Sequence, residues 1–198
     1  SPKIMREKIT DYHENDIAAS LEEMNIHERQ RLYRILDIEE LSVIFEYVEE
    51  ENISKYLQEM DIKKKAAIVS EMDADKAVYL LQQLDKTERE ALIQLINHEA
   101  KKDIALIASF DEDQIGSKMT TNFVSIKADL TIKQAMKELI RQAADNDNIT
   151  TIYVVDNNNV FYGAISLKDL IVAREGTLLD DIIITSYPFV YAKEDIDD

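Results

Sequence analysis

The octapeptide GAISLKDL at 163–170 places Gly163, Ser166 and Asp169 at i, i+3 and i+6. If a helix starts at Ser166, its free backbone N–H groups and the serine hydroxyl can donate to an anion, and the aspartate can accept hydrogen bonds. The same Ser-x-x-Asp spacing is a capping box, which a helix start uses with no ligand, and the residues alone leave both readings open. A second stretch, DNDNITTIYVVD at 145–156, has the length of a calcium loop. It departs from that pattern where it matters. Ile149 holds the fifth position, Thr150 stands where glycine makes the sharp turn, and Asp156 stands where a bidentate glutamate belongs. It reads as a polar loop before a strand. His13, His27 and His98 are scattered without ligand spacing and are expected as surface side chains. There is no cysteine, so disulfides and thiolate metal sites are excluded. No nucleophile is paired with a base, which argues against an enzyme.

The elements that would position these groups differ between the two parts of the chain. In the first part LQEMD (57–61), VSEMD (69–73) and LQQLD (81–85) recur every twelve residues. Stepping by twelve from Met24 gives Leu36, Val48, Met60, Met72, Leu84 and Ile96, all apolar. The residues that follow them are Asn25, Asp37, Glu49, Asp61, Asp73, Asp85 and Asn97. Twelve residues are about 3.3 helical turns, so one unbroken stripe would rotate by roughly 120° per repeat. The period fits no coiled coil either. It predicts short helices, each begun by an Asn or Asp cap whose side chain accepts from the first turn. DADKAVYLLQQL (73–84) then places Ala77, Leu80, Leu81 and Leu84 on one face. Between Pro2 and Gly116 there is neither glycine nor proline, so the caps alone must make the turns. Short helices bury their faces only by stacking, and 1–110 is expected to be an all-α superhelical repeat lobe. Such arrays bind partners or act as levers more often than they catalyse.

The pattern changes at Gly116. FVSI (123–126) reads as a strand. TIKQAMKELIRQAA (131–144) reads as a helix with a Thr131–Gln134 capping box and an apolar face of Ile132, Ala135, Met136, Leu139, Ile140 and Ala143. TIYVVD (151–156) and VFYGAIS (160–166) are strands joined by an NNN turn, and LKDLIVAR (167–174) is a short helix. The order is β–α–β–β–α, and the fold class is α+β. Net charge is −17, spread as 15 basic against 24 acidic residues in 1–110 and 8 against 16 in 111–198. Such a field repels nucleic acid and attracts cations. No apolar run approaches membrane-spanning length, and the chain begins at Ser1; a soluble piece of a longer protein is expected.

The β–α–β–β–α unit with GAISLKDL resembles a CBS domain, and FDEDQIGSKMTTNFVSI (110–126) resembles the junction of MgtE-type magnesium channels. In that family a helical N domain of degenerate repeats precedes a CBS pair and a membrane pore. The resemblance implies three parts: 1–110, an MgtE N-domain-like lobe; 111–186, an α/β CBS unit; and 187–198, the start of a second, truncated CBS unit. It implies a magnesium-sensing regulatory region, on the cytoplasmic face of the cell membrane, that gates a pore absent here. Its partners would be a second copy and the transmembrane pore domain of the full-length chain, with Leu170 and Ile171 on a dimer face. Magnesium prefers one or two carboxylates with retained water, which leaves no compact motif. By the resemblance, Asp73 and Asp75 are the N-domain candidates, and Asp180, Asp181, Asp195, Asp197 and Asp198 the CBS-side ones. Asp73 also reads as an N-cap. Gly163, Ser166 and Asp169 match the CBS pattern for ATP or another adenine nucleotide, which leaves a nucleotide-sensing regulator with a helical protein-docking lobe as the alternative. Gly116 is expected to supply unusual backbone angles for a pivot near 109–117.

Overall fold

The computed structural model describes residues 2–9, 11–174 and 176–197. The first part is a run of short helices: α1 Pro2–Ile9, α2 Glu14–Glu23, α3 Ile26–Ile35, α4 Ile38–Glu46, α5 Glu50–Leu57, α6 Ile62–Glu71, α7 Ala74–Gln83, α8 Lys86–Leu95 and α9 His98–Ile107. Every helix from α3 to α9 starts where the twelve-residue period places its cap. Asn25 accepts from the N–H groups of His27 and Glu28, and the Glu28 carboxylate returns to the Asn25 N–H at 2.8 Å. Asp37 and Glu40 repeat this box. Asp61, Asp85 and Asn97 cap with their side chains as expected. His13 is exposed as expected and also caps α2, its Nδ1 accepting from the Asn15 N–H.

Two caps are positional only. Glu49 and Asp73 precede α5 and α7, yet neither side chain bonds to the first turn. Glutamate is a methylene too long for the geometry that favours Asp and Asn. The expected side-chain cap by Asp73 is therefore corrected. The Asp73 N–H donates to Glu46 Oε1 at 3.0 Å.

Helices two apart in sequence pack on one another: α1 on α3, α2 on α4, α4 on α6, α5 on α7, α6 on α8 and α7 on α9. This skipping explains a period that no single helix could use. The apolar residue before each cap is drawn inward. Leu36, Val48, Met72, Leu84 and Ile96 are buried, and Met24 and Met60 are partly so. Ala77, Leu80, Leu81 and Leu84 all lie in this core.

The first compact unit runs to Met119 and also takes in the segment from Ala192 onward. That segment pairs with the stretch after α9: the Gly116 N–H donates to Ala192 O (2.7 Å), Ile115 N–H to Glu194 O (2.9 Å) and Ile196 N–H to Asp113 O (2.8 Å). Gly116 sits in a 3-10 turn (Ile115–Lys118), and its φ is not positive. A Cβ there would lie 2.5 Å from the Phe110 ring. The expectation of unusual backbone angles is thus wrong, and close packing is what demands the glycine.

The second unit, Thr120–Tyr191, holds β1 Val124–Lys127, α10 Ile132–Gln142, β2 Thr151–Val155, β3 Phe161–Ser166 and α11 Leu167–Val172. This is the expected β–α–β–β–α order, and the molecule is α+β. β1 runs parallel to β2 with Val124 opposite Ile152, and β3 runs antiparallel to β2 with a bulge at Val154–Val155. The crossover between the parallel strands is α10, begun by the Thr131–Gln134 capping box. Alternate residues Val124, Ile126, Ile152, Val154 and Ile165 form the core with Ala135, Leu139 and Leu170. Two expectations fail. Ile140 is 66% exposed, because Ala135 and Leu139 carry the buried stripe of α10. Leu170 is 1% exposed and belongs to the core, so it cannot contribute to a dimer face; Ile171, one residue on, is 60% exposed. Among the described residues no helix is long and apolar enough to cross a membrane.

Candidate functional site

Ser166 ends β3 and caps α11. Its Oγ accepts from the Asp169 N–H at 3.1 Å and lies 2.7 Å from Asp169 Oδ2, to which it donates. The pair is half-buried and mutually satisfied. Gly163 has a separate cause. A Cβ on it would meet the Ile184 carbonyl oxygen at 2.6 Å. Ala164 and Ile184 exchange backbone hydrogen bonds there (3.2 and 2.8 Å), so the chain after α11 returns against β3. Both features have structural reasons within this unit.

The sequence reading missed a row of aromatic rings in the same unit. Phe123 and Tyr153 meet edge to face at 5.4 Å, Tyr153 and Tyr187 at 6.2 Å, Phe161 and Phe189 at 6.0 Å, and Phe189 and Tyr191 at 5.6 Å. Phe189 and Tyr191 are exposed. Tyr153 alternates with the buried Ile152 and Val154, so it points to the sheet face away from the core. That alternation in TIYVV was the available signal. Exposed aromatic rings can stack on a planar group.

The carboxylate candidates fall into three places. Asp180 and Asp181 lie on a 3-10 turn, Leu179–Ile182. Asp180 Oδ1 accepts from the Tyr162 hydroxyl at 3.0 Å, a bond that pushes the phenol's pKa up. Asp195 and Asp197 line an open pocket of about 350 Å³ with Asp113 in the first unit. Asp198 lies outside the described residues. Asp73 and Asp75 open α7, Asp73 at the cap position and Asp75 half-buried in the first turn. Beside them Lys76 Nζ pairs with Glu46 (3.0 Å) and also donates to the Glu46 carbonyl. Lys76 lines an open cleft of about 570 Å³ with Glu46, Glu49, Glu50 and Glu51. Among the described residues no group of three or more His, Asp or Glu side chains is arranged to hold a metal ion. Magnesium needs no such cluster, because it takes one or two carboxylates and keeps several waters. The calcium-loop stretch is tied up locally: Asp147 N–H donates to Asn122 Oδ1, and Asn148 Nδ2 to the Asn122 carbonyl.

Residues 12–113 match the model of the MgtE intracellular N domain, and residues 113–176 that of the CBS domain. The chain is 32% identical over 106 residues to the magnesium transporter MgtE of Thermus thermophilus, covering 54% of this chain and 23% of that protein. It is 38% identical over 100 residues to the magnesium transporter MgtE of Enterococcus faecalis, covering 50% and 22%. These matches thus span less than a quarter of either transporter. A crystal structure of the soluble part of a magnesium transporter superposes with a TM-score of 0.90 at 35% identity, covering 98% of this chain and 77% of that one. The cytosolic domain of the Mg2+ channel MgtE in complex with ATP superposes with a TM-score of 0.88 at 25% identity, covering 98% and 80%.

Proposed function

Because the chain belongs to the MgtE family, with an MgtE intracellular N domain followed by a CBS domain, we propose that it is the cytosolic magnesium-sensing regulatory region of an MgtE-type magnesium transporter. The observation that carries this reading is the likeness, over 98% of the chain, to the soluble part of a magnesium transporter. The chain supplies regulation rather than catalysis. Its transmembrane partner is the pore domain of the full-length protein, and it works at the cytoplasmic face of the membrane as a homodimer, with Ile171 rather than Leu170 at the CBS dimer face. Asp75 and Asp73 are the magnesium ligands of the helical lobe, and Asp180, Asp181, Asp195, Asp197 and Asp198 are the remaining candidates. The parts are the lobe 1–110, the CBS unit 111–186 and the start of a second unit from 187.

The physical logic is linkage. Acidic side chains repel one another until a divalent ion neutralises them. An ion that binds one conformation better shifts the population toward it, by no more than that difference in affinity. Here magnesium favours the state that shuts the pore. Transport by the full-length protein in vesicles tests this. Raising internal magnesium should slow flux, and Asp75→Asn should leave more flux at the same internal magnesium. Equal inhibition of both proteins would remove Asp75 from the sensor.

A second ligand is favoured by the relative that holds ATP. Gly163, Ser166 and Asp169 keep the CBS pattern, and the exposed rings offer a stacking surface. This is the nucleotide-sensing alternative, in which the helical lobe docks a protein. Calorimetric titration with ATP separates the two: heat that saturates with ATP and is lost in Asp169→Ala supports it, and no ATP heat rejects it.

A further inference from the structure

The amino-terminal end of the helical lobe carries an open groove of about 730 Å³ bounded by the end of α1, α2 and α3. Its floor is apolar: Ile9, Ile17, Met24, Leu32 and Ile35. Its rim is acidic, with Asp16, Glu23 and Glu28 against one base, Arg31. Tyr12, 66% exposed, stands at its edge and also lines a smaller groove rimmed by Glu14, Glu39 and Glu40. An apolar floor within an acidic rim is complementary to one chemistry: a helix with an apolar face flanked by Lys or Arg.

The same end of the lobe already holds one such segment. α1 carries Arg6 and Lys8 in its last turn. Arg6 reaches Asp37 at 2.5 Å and Glu40 at 2.9 Å, and Ile9 packs against the core. α1 lies outside the residues that match the N-domain model, so the acidic edge it covers belongs to the domain proper. α1 is then one occupant of a longer acidic, apolar track, and the groove beside it is the open remainder.

We infer that the α1–α3 groove is a docking site for a basic amphipathic helix of a partner protein. Binding is driven by apolar burial on the floor and steered by the acidic rim, so it weakens with salt. The test uses the whole chain and two labelled peptides of about 15 residues, long enough to form a helix on binding. One pairs a leucine face with lysines, and the other the same face with glutamates. Fluorescence anisotropy should show saturable binding of the lysine peptide only. Glu23→Lys should weaken it about five-fold, the factor that about 1 kcal/mol of surface electrostatics carries. Glu90→Lys makes the same charge change on exposed α8 and should leave affinity unchanged. No saturation, equal binding of the glutamate peptide, or equal loss in Glu23→Lys and Glu90→Lys would each overturn the proposal.

Discussion

Replacing Glu59 with alanine should destabilise the helical lobe more than any surface change. Arg29 and Glu59 are each only 8% exposed at the side chain. The guanidinium forks onto the carboxylate, Nε to Oε2 at 2.9 Å and Nη2 to Oε1 at 2.5 Å. Tyr33 adds its hydroxyl to Oε2 at 3.2 Å, and Arg29 Nη1 reaches the Leu21 carbonyl at 3.1 Å as well as that of Met24. The Tyr56 ring lies 4.9 Å from the guanidinium. One buried pair thus ties the end of α2, the start of α3 and the end of α5. The hydrogen bond to Glu59 keeps the Arg29 pKa above its ordinary value against the opposing cost of burial. Glu59→Ala leaves a buried cation with only carbonyl partners, a loss of about 3–5 kcal/mol. For a unit of this size that lowers the melting temperature by roughly 10 °C or more. The assay is urea and thermal unfolding followed by circular dichroism. The double change Arg29→Met with Glu59→Leu should recover most of the loss, because no charge is then stranded. A loss below about 1 kcal/mol for Glu59→Ala, or a double variant no better than the single one, would refute a stabilising tie among α2, α3 and α5 through this pair.

Asp61→Ala and Asp85→Ala should each cost about 1 kcal/mol in urea melts, while Glu49→Ala should show no cap penalty. Gly116→Ala should cost about 1–3 kcal/mol through its clash with the Phe110 ring, and the companion change Phe110→Leu should recover part of it. The Glu138 carboxyl is pushed down to about 2 by its hydrogen bonds from Arg141 and Gln142. Its folded pKa lies below the unfolded value of about 4.3, so its small contribution is present above that range and is lost as pH falls through the folded value. The pair is partly open to solvent, with Arg141 exposed, so carboxyl NMR rather than melting is the readout, and Arg141→Ala should move the midpoint upward.

Local signals were legible in the sequence and non-local ones were not. Each helix start from Asn25 to Asn97 could be read from the twelve-residue period, and five of them carry a side-chain cap bonded to its own first turn. The CBS-like strands could be read from alternation, and the NNN turn holds Asn159 at φ 63, the left-handed conformation that asparagine tolerates. Gly116 was misread because its cause, the Phe110 ring, is a packing contact rather than a backbone angle. Leu170 and Ile171 are adjacent apolar residues, and only the placement of α11 decides which one is buried. Arg29 and Glu59 stand thirty residues apart in a chain rich in charge, so nothing local marks them as partners. Of the candidate site, Ser166 and Asp169 were legible as a pair, since one helix turn joins them. The candidate carboxylates carried no such signal, because magnesium needs only one or two carboxylates at no fixed spacing.

Calorimetric titration of this chain with magnesium at constant ionic strength tests the proposed binding by the helical lobe directly. Magnesium should give saturable heat that sodium does not, and Asp75→Asn should weaken the affinity while unfolding as the parent chain does. Heat that sodium reproduces at equal ionic strength, or an affinity that Asp75→Asn leaves unchanged, would contradict the account.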